Sequence, residues 1–305
     1  MTMPGVPDGM GVGDTVDDPS HETVSILTRV ACSGLTHPGK VRVNNEDHFL
    51  VAKLAKSMQI ESSSLEGAGS TRFSAEDGYL MVVADGMGGA AAGERASALA
   101  VESVEEFTLN TLKWFFHLGK SDESLLLDEL RESLEAADRS VFDQAEADHR
   151  LAGMGTTLTM AYSVGPDLYI VHAGDSRAYL LRDGELEQVT HDHTLVQMLV
   201  SGGMLTPEAA RRHHRRNVVT NVIGGPSPGV HAEIHKVRLA DGDVLLLCSD
   251  GLTEPVADLA IAEALAAHPE PEAAARRLIE LALEHGAPDN VTVVVARYSL
   301  AADLA

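Results

Sequence analysis

Four aspartates stand at the ends of apolar runs. Asp85 closes "YLMVVAD", Asp175 follows "LYIVHAG", Asp250 closes "DVLLLCSD", and Asp289 stands just before "NVTVVVARY". A carboxylate beside a buried strand costs free energy unless something pairs with it. One such aspartate alone is most simply a cap or turn residue. Four are harder to explain that way. If these strand ends share one edge of a sheet, the carboxylates converge, and converging carboxylates cannot all ionise without a cation between them. "NNEDHF" adds Glu46 and Asp47. Oxygen donors with no Cys or His cluster among them favour hard ions, Mg²⁺ or Mn²⁺.

Arg42 lies four residues before Glu46 in "KVRVNNED". In a strand, even spacings share a face, so Arg42 can point the same way as Glu46. A guanidinium beside such a cluster suits a tetrahedral phosphate, whose oxygens match its fork. The alternative is a surface salt bridge. Two hard ions roughly 4 Å apart can share one water, lower its pKa and direct it in line at phosphorus. That chemistry needs no nucleophilic side chain. Ser176 in "GDSR" and Ser249 in "CSDG" do not sit in a G-x-S-x-G elbow.

The elements that must position these groups can be read from periodicity. Strands are expected between Thr23 and Ala55, then a polar, Ser/Gly-rich loop or hairpin tip over 56–78. "YLMVVA" is a buried strand, and Gly88 and Gly89 allow a turn into a helix from about Gly93. That helix carries Ala96, Ala100, Val104 and Phe107 at helical spacing. Leu127, Leu130, Leu134, Ala137 and Val141 mark a second helix. Residues 155–190 read as three short strands with turns at "GPD" and "RDGE". Residues 192–217 read as helical and then irregular. Strand "DVLLLC", two Ala-rich helices over 256–268 and 271–285, and strand 290–298 complete the chain. The mixture is α+β, with antiparallel strands and helices outside.

The chain has 305 residues and a net charge of −23, which argues against nucleic acid or an anionic membrane surface as partner. No apolar run is long enough to span a bilayer. The first 22 residues are acidic and Gly/Pro-rich, and they read as a disordered segment without the features of a secretory leader. Cys32 and Cys248 lie far apart and are expected to be reduced core residues of a cytoplasmic protein.

Seven stretches, "VRVNNED", "VVADGMGGAAAGERAS", "GMGTTLTMAY", "YIVHAGDSRAYLLRDGELEQVTHDHTLVQMLV", "GGMLTPEAARRHHRRNVVTNVIGG", "VLLLCSDGLTEPV" and "APDNVTVVVARY", occur in a telling order. Together they resemble the motif series of the metal-dependent protein serine/threonine phosphatases (the PPM or type 2C class), bacterial branch. The resemblance spans roughly 24–299. It implies a single domain over 23–300, a central sandwich of two antiparallel sheets flanked by helix pairs, and a flap at about 192–217. It implies two Mn²⁺ or Mg²⁺ ions and a third at a weaker site. On that pattern Asp85 bridges the two metals and Gly86 adds its carbonyl. Asp250 and Asp289 hold the first metal, and Glu46 and Asp47 serve the second, partly through water. Asp175 joins Asp250 at the third, and Arg42 binds phosphate. The implied reaction is hydrolysis of phosphoserine and phosphothreonine on proteins. The implied partners are phosphorylated proteins, namely a serine/threonine kinase and its substrates, met by a monomer. Two other readings are a regulatory phosphatase of an anti-sigma-factor antagonist and a silent phosphoprotein-binding module.

The chain departs from that pattern in three places. Met87 and Ala90 stand where relatives often place a histidine, so metal-bound water or His213 of the flap is expected to supply the proton to the leaving oxygen. His214 stands where the flap often has proline. The 56–78 loop is longer than usual. Among the remaining residues, His172 is expected to be a satisfied core histidine. His191 and His193 have a metal-pair spacing, but the resemblance puts them outside the dinuclear centre. "RRHHRR" reads as a solvated helix end or a patch guiding a phosphorylated substrate. Trp114, Phe115 and Phe116 read as core, or as a docking patch.

Overall fold

The computed structural model describes residues 26–62, 64, 70–73, 77–110 and 120–302. The acidic segment 1–22, part of the 56–78 loop and the run Trp114–Phe116 lie outside the described residues.

Apolar alternation builds the core in layers. One antiparallel sheet has the order β1–β14–β13–β9–β10, made of β1 (Ile26–His37), β9 (Arg177–Arg182), β10 (Glu185–Gln188), β13 (Val244–Cys248) and β14 (Val291–Ala302). The other contains β2 (Asp47–Leu54), β5 (Gly78–Met87), β6 (Gly155–Thr156), β7 (Leu158–Val164), β8 (Asp167–Ala173), β11 (Ile223–Gly224) and β12 (Glu233–Arg238). There β2 and β7 flank β5, β8 follows β7, and β12 closes the edge. β6 continues β7 along β5 without a change of register. Short strands β3 (Ser57–Gln59) and β4 (Thr71–Phe73) form an exposed pair of their own.

In β5, Met81 and Val83 face the other sheet, where they meet Leu245, Leu247, Val294 and Tyr298. Their neighbours Leu80, Val82 and Ala84 face the opposite way, against α1 (Ala90–Asn110) and α2 (Lys120–Ala147). The same alternation turns Leu246 and Cys248 of β13 toward α5 (Asp250–Thr253), α6 (Asp258–Ala267) and α7 (Pro271–Glu284). Each central strand is therefore buried on both sides, which is why these strands read as unbroken apolar runs rather than alternating ones. The result is a four-layer α-β-β-α sandwich, as expected.

Three details differ from the sequence reading. Residues 155–190 hold five strands, β6 to β10, because the first run breaks after Thr156 and "ELEQ" pairs back on β9. α1 begins at Ala90, since Gly88 and Gly89 adopt φ of 123° and 88° and finish the turn before it. Arg42 to Glu46 are not strand: β2 begins at Asp47, so the even-spacing argument for Arg42 does not apply. The segment 192–217, expected as a flap, contains α3 (Leu195–Ser201) and α4 (Pro207–Ala210).

Leu247 is fully buried between the sheets. Leu247→Ala is expected to cost about 2–5 kcal/mol of stability, read as a lower urea midpoint at unchanged slope.

Candidate active site

The β2–β5 register sets two carboxylates face to face: Asp47 is the direct partner of Asp85. Like charges opposite one another destabilise a strand pair. Asp47 is 4% exposed. Its Oδ2 accepts a hydrogen bond from the Ser249 hydroxyl at 2.7 Å, while its Oδ1 is buried without a partner. The backbone of Asp85 is fixed from the far side, where its N–H donates to the Thr157 hydroxyl and its carbonyl accepts from the Thr156 hydroxyl.

The other strand ends arrive beside this pair. A pocket of about 630 Å³ is lined by Asp85, Gly86, Asp175, Asp250, Asp289, Glu46 and Arg42, among others. Asp47 lies behind Asp85 rather than in the lining. Arg42 Nη2 lies 2.6 Å from Asp289 Oδ2 at the rim, and its side chain is still 52% exposed. The guanidinium thus forms the salt bridge and also lines the pocket. Its place there is owed to the turn before β2, not to a strand face.

Electrostatics mark the cluster. Burial raises Asp85 well above the ordinary carboxylate value, helped by Asp47, Asp250, Asp175 and Asp289. Asp250 is raised well above it for the same reasons, burial first and then Asp175. Burial pushes Asp47 up to about 6, against hydrogen bonds from Thr292 and Ser249. Asp175 also rises to about 6, through burial and Asp192. Crowded carboxylates with an orphaned buried oxygen and purely oxygen donors fit hard divalent ions. The glycines fit too. A Cβ on Gly93 would lie 2.1 Å from Glu46 Oε2 and 2.9 Å from the Gly86 backbone carbon, so a side chain there would displace the Glu46 carboxylate.

Several supports were not evident from the sequence. Asn290 accepts from Glu46 N–H through Oδ1, and donates through Nδ2 to the Pro38 and Asn44 carbonyls. It moors the turn that carries Arg42 and Glu46 to β14. Ser97 donates to the Glu46 carbonyl at 2.5 Å. Asn290 stands in the quoted "PDN", but its role depends on partners far away in the chain.

His213 is not among the pocket residues; the segment expected as the flap contributes Asn217, and Val219 lines the pocket just beyond it. His213 Nδ1 instead accepts from Arg215 N–H at 3.2 Å, and its ring stacks on His214. This local turn engages the pair, and His213 does not line the pocket that holds the carboxylates. Ser176 and Ser249 are fully buried, the first bonded to Thr157 and the second to Asp47. Burial pushes the Cys248 thiol to about 12, so it is not an ionised nucleophile. His172 is buried with both ring nitrogens engaged, as expected of a core histidine.

A sequence profile for protein phosphatase 2C matches residues 68–281. The chain belongs to the protein phosphatase 2C family. It is 45% identical over 218 residues to the serine/threonine protein phosphatase PstP of Mycobacterium tuberculosis, a match covering 71% of this chain and 40% of that protein. It is 34% identical to the serine/threonine phosphatase stp of Listeria monocytogenes, covering 72% of this chain and 85% of that one. Its fold is similar to the catalytic domain of PstP solved with two manganese ions, with a TM-score of 0.69, 38% identity, and coverage of 90% and 99%. The chain spans less than half the length of the first of these relatives. In this protein phosphatase 2C chain, Arg42, Glu46, Asp47 and Asp289 lie outside the profile match, so their place rests on the geometry above.

The raised carboxyls give a testable pH dependence. A folded Asp47 with a raised pKa keeps a proton that the unfolded chain releases. Protein stripped of divalent ions should therefore lose stability as pH rises from about 4 to about 6. Asp47→Asn should flatten that fall and leave the stripped protein more stable at pH 7, by on the order of 2 kcal/mol. Urea unfolding of both proteins in EDTA at the two pH values measures the difference.

Proposed function

We propose that this chain hydrolyses phosphoserine and phosphothreonine on proteins in a reaction that needs two divalent ions. The observation that carries the reading is one pocket in which Glu46, Asp85, Asp175, Asp250 and Asp289 converge, with Asp47 behind them and Arg42 at the rim. Asp85, Gly86, Asp250 and Asp289, with Glu46 and Asp47, would hold Mn²⁺ or Mg²⁺, and Asp175 would hold a third ion with Asp250. Bound there, such ions supply Lewis acidity toward water and phosphate.

The residues of the chain do the rest. Arg42 gives its exposed guanidinium to the phosphate oxygens, fixing the phosphorus over the carboxylates. Asp289 aims that guanidinium through its 2.6 Å contact. Ser249 holds Asp47, and Thr156 and Thr157 hold Asp85, so the donors are set before substrate arrives. With Ser176, Ser249 and Cys248 buried and occupied or protonated, water is the nucleophile that this pocket leaves available.

The reading carries with it a serine/threonine kinase and its substrates as partners, a role in signalling, a cytoplasmic location and a monomeric state. The domain would run over 23–300 with its flap at 192–217. Among the described residues, no helix is long and apolar enough to cross a membrane. Arg211, Arg212 and Arg215 are exposed on the flap of an otherwise acidic chain and would draw a phosphorylated segment toward the pocket.

EDTA should abolish hydrolysis of a phosphothreonine peptide, and Mn²⁺ should restore it. Asp250→Asn with full activity retained would remove the metal assignment. Arg42→Ala should lower kcat/KM by roughly 10–100-fold, the worth of a hydrogen bond to a charged group, with Mn²⁺ affinity nearly unchanged in a parallel titration.

A further inference from the structure

We propose that His191, Glu233 and His235 form a separate metal site that takes a borderline divalent ion of the zinc type. β12 is the closing strand of its sheet, and Glu233 and His235, two residues apart, share one of its faces. The segment between β10 and α3 folds back onto that face and brings His191. Its Nδ1 lies 2.8 Å from Glu233 Oε1, and His235 Nε2 contacts the same oxygen. One donor atom from each residue lies within 4.8 Å of the other two. Two imidazoles and one carboxylate are a known zinc ligand set that leaves the fourth position to water. Imidazole nitrogen also sets this site apart in ion preference from the all-oxygen pocket.

His172 and His193 lie close by, and proton bookkeeping removes both as ligands. His172 Nε2 faces two carbonyls, of Gly174 and His191, each at 3.1 Å. A carbonyl only accepts, so that nitrogen carries the proton. Its Nδ1 is taken by the Thr159 hydroxyl at 2.9 Å. His193 Nδ1 accepts the Gly174 N–H at 3.2 Å, so its proton is on Nε2, which donates to Glu233 Oε2 at 2.9 Å. His193 is thus the outer partner that orients the carboxylate and leaves Oε1 toward the ion. Burial pushes the Glu233 carboxyl up, but hydrogen bonds from His193, His191 and His235 outweigh it and hold it far below the usual range. The group is an anion wherever the imidazoles are neutral enough to bind.

Access is open. The His191 side chain is 73% exposed, while Glu233 and His235 are 18% and 27% exposed, so an ion can enter from solvent onto a partly buried pair. On binding, the ring proton of His191 passes through solvent from Nδ1 to Nε2, and that of His235 from Nε2 to Nδ1, so the nitrogens now facing Oε1 turn their lone pairs to the ion while both rings stay neutral. Because His193 N–H bonds the Gly174 carbonyl at 2.7 Å, a filled site would tie the root of the flap to the sheet edge next to Asp175.

The test is Zn²⁺ binding by the full chain in excess Mg²⁺, which keeps the oxygen donors occupied, measured by competition with a chromophoric chelator. Wild type should take up one Zn²⁺ that Mg²⁺ does not displace. His191→Ala and His235→Ala should each weaken that binding by at least ~10-fold, with unchanged circular dichroism. Co²⁺ in place of Zn²⁺ should give visible absorption in wild type that both variants lose. No Zn²⁺ uptake over Mg²⁺ by wild type overturns the proposal. So does equal uptake by the double variant. His191 is exposed, so His191→Ala puts no core contact at stake.

Discussion

Mutual repulsion among buried carboxylates governs this molecule. Asp47 faces Asp85 across a strand pair, and Asp250, Asp175 and Asp289 raise the cost of ionising Asp85 further. A chain selected only for stability would not place them there. The surrounding structure holds them in place regardless. Thr156, Thr157, Ser249 and Asn290 commit their hydrogen bonds to the site, and the sandwich behind them is apolar on every layer. The sheets act as a vice: two layers of strands end together, and the charges at those ends have no room to separate.

The same arrangement explains what could and could not be read from the sequence. Asp85, Asp175, Asp250 and Asp289 were legible because a charge that ends an apolar run is a local signal. The layers were legible because period-2 burial on both faces gives unbroken apolar strands. Arg42 reached the pocket for a different reason from the one the spacing suggested. Period 2 has no meaning in a turn, and the turn is shaped by Asn290, whose partners lie some 250 residues upstream. His213 has the right chemistry for a proton donor, but it is engaged by the local turn to Arg215 and by His214, and it does not line the pocket. Gly93 and Ser97 read as ordinary helix residues until Glu46 is set beside them.

The histidines make the contrast clearest. His191 and His193 share a spacing, yet their ring protons give them opposite roles around Glu233, one facing Oε1 and the other holding Oε2. Spacing alone could not separate them, because the deciding contacts are the Gly174 N–H and a glutamate 42 residues away. Tautomer, not sequence interval, sorts ligands from supports here.

The mooring by Asn290 also bears on when the molecule becomes competent. β1 pairs with β14 along all twelve residues, and the Asn290 side chain reaches back to Pro38, 252 residues earlier. Contacts of such sequence separation form late, since the loop must close before they reward it. A ribosome-bound chain therefore carries Arg42 and Glu46 on an unmoored turn until β14 has emerged. A chain cut short before β14 would leave that turn, and the two side chains it carries, without the Asn290 mooring.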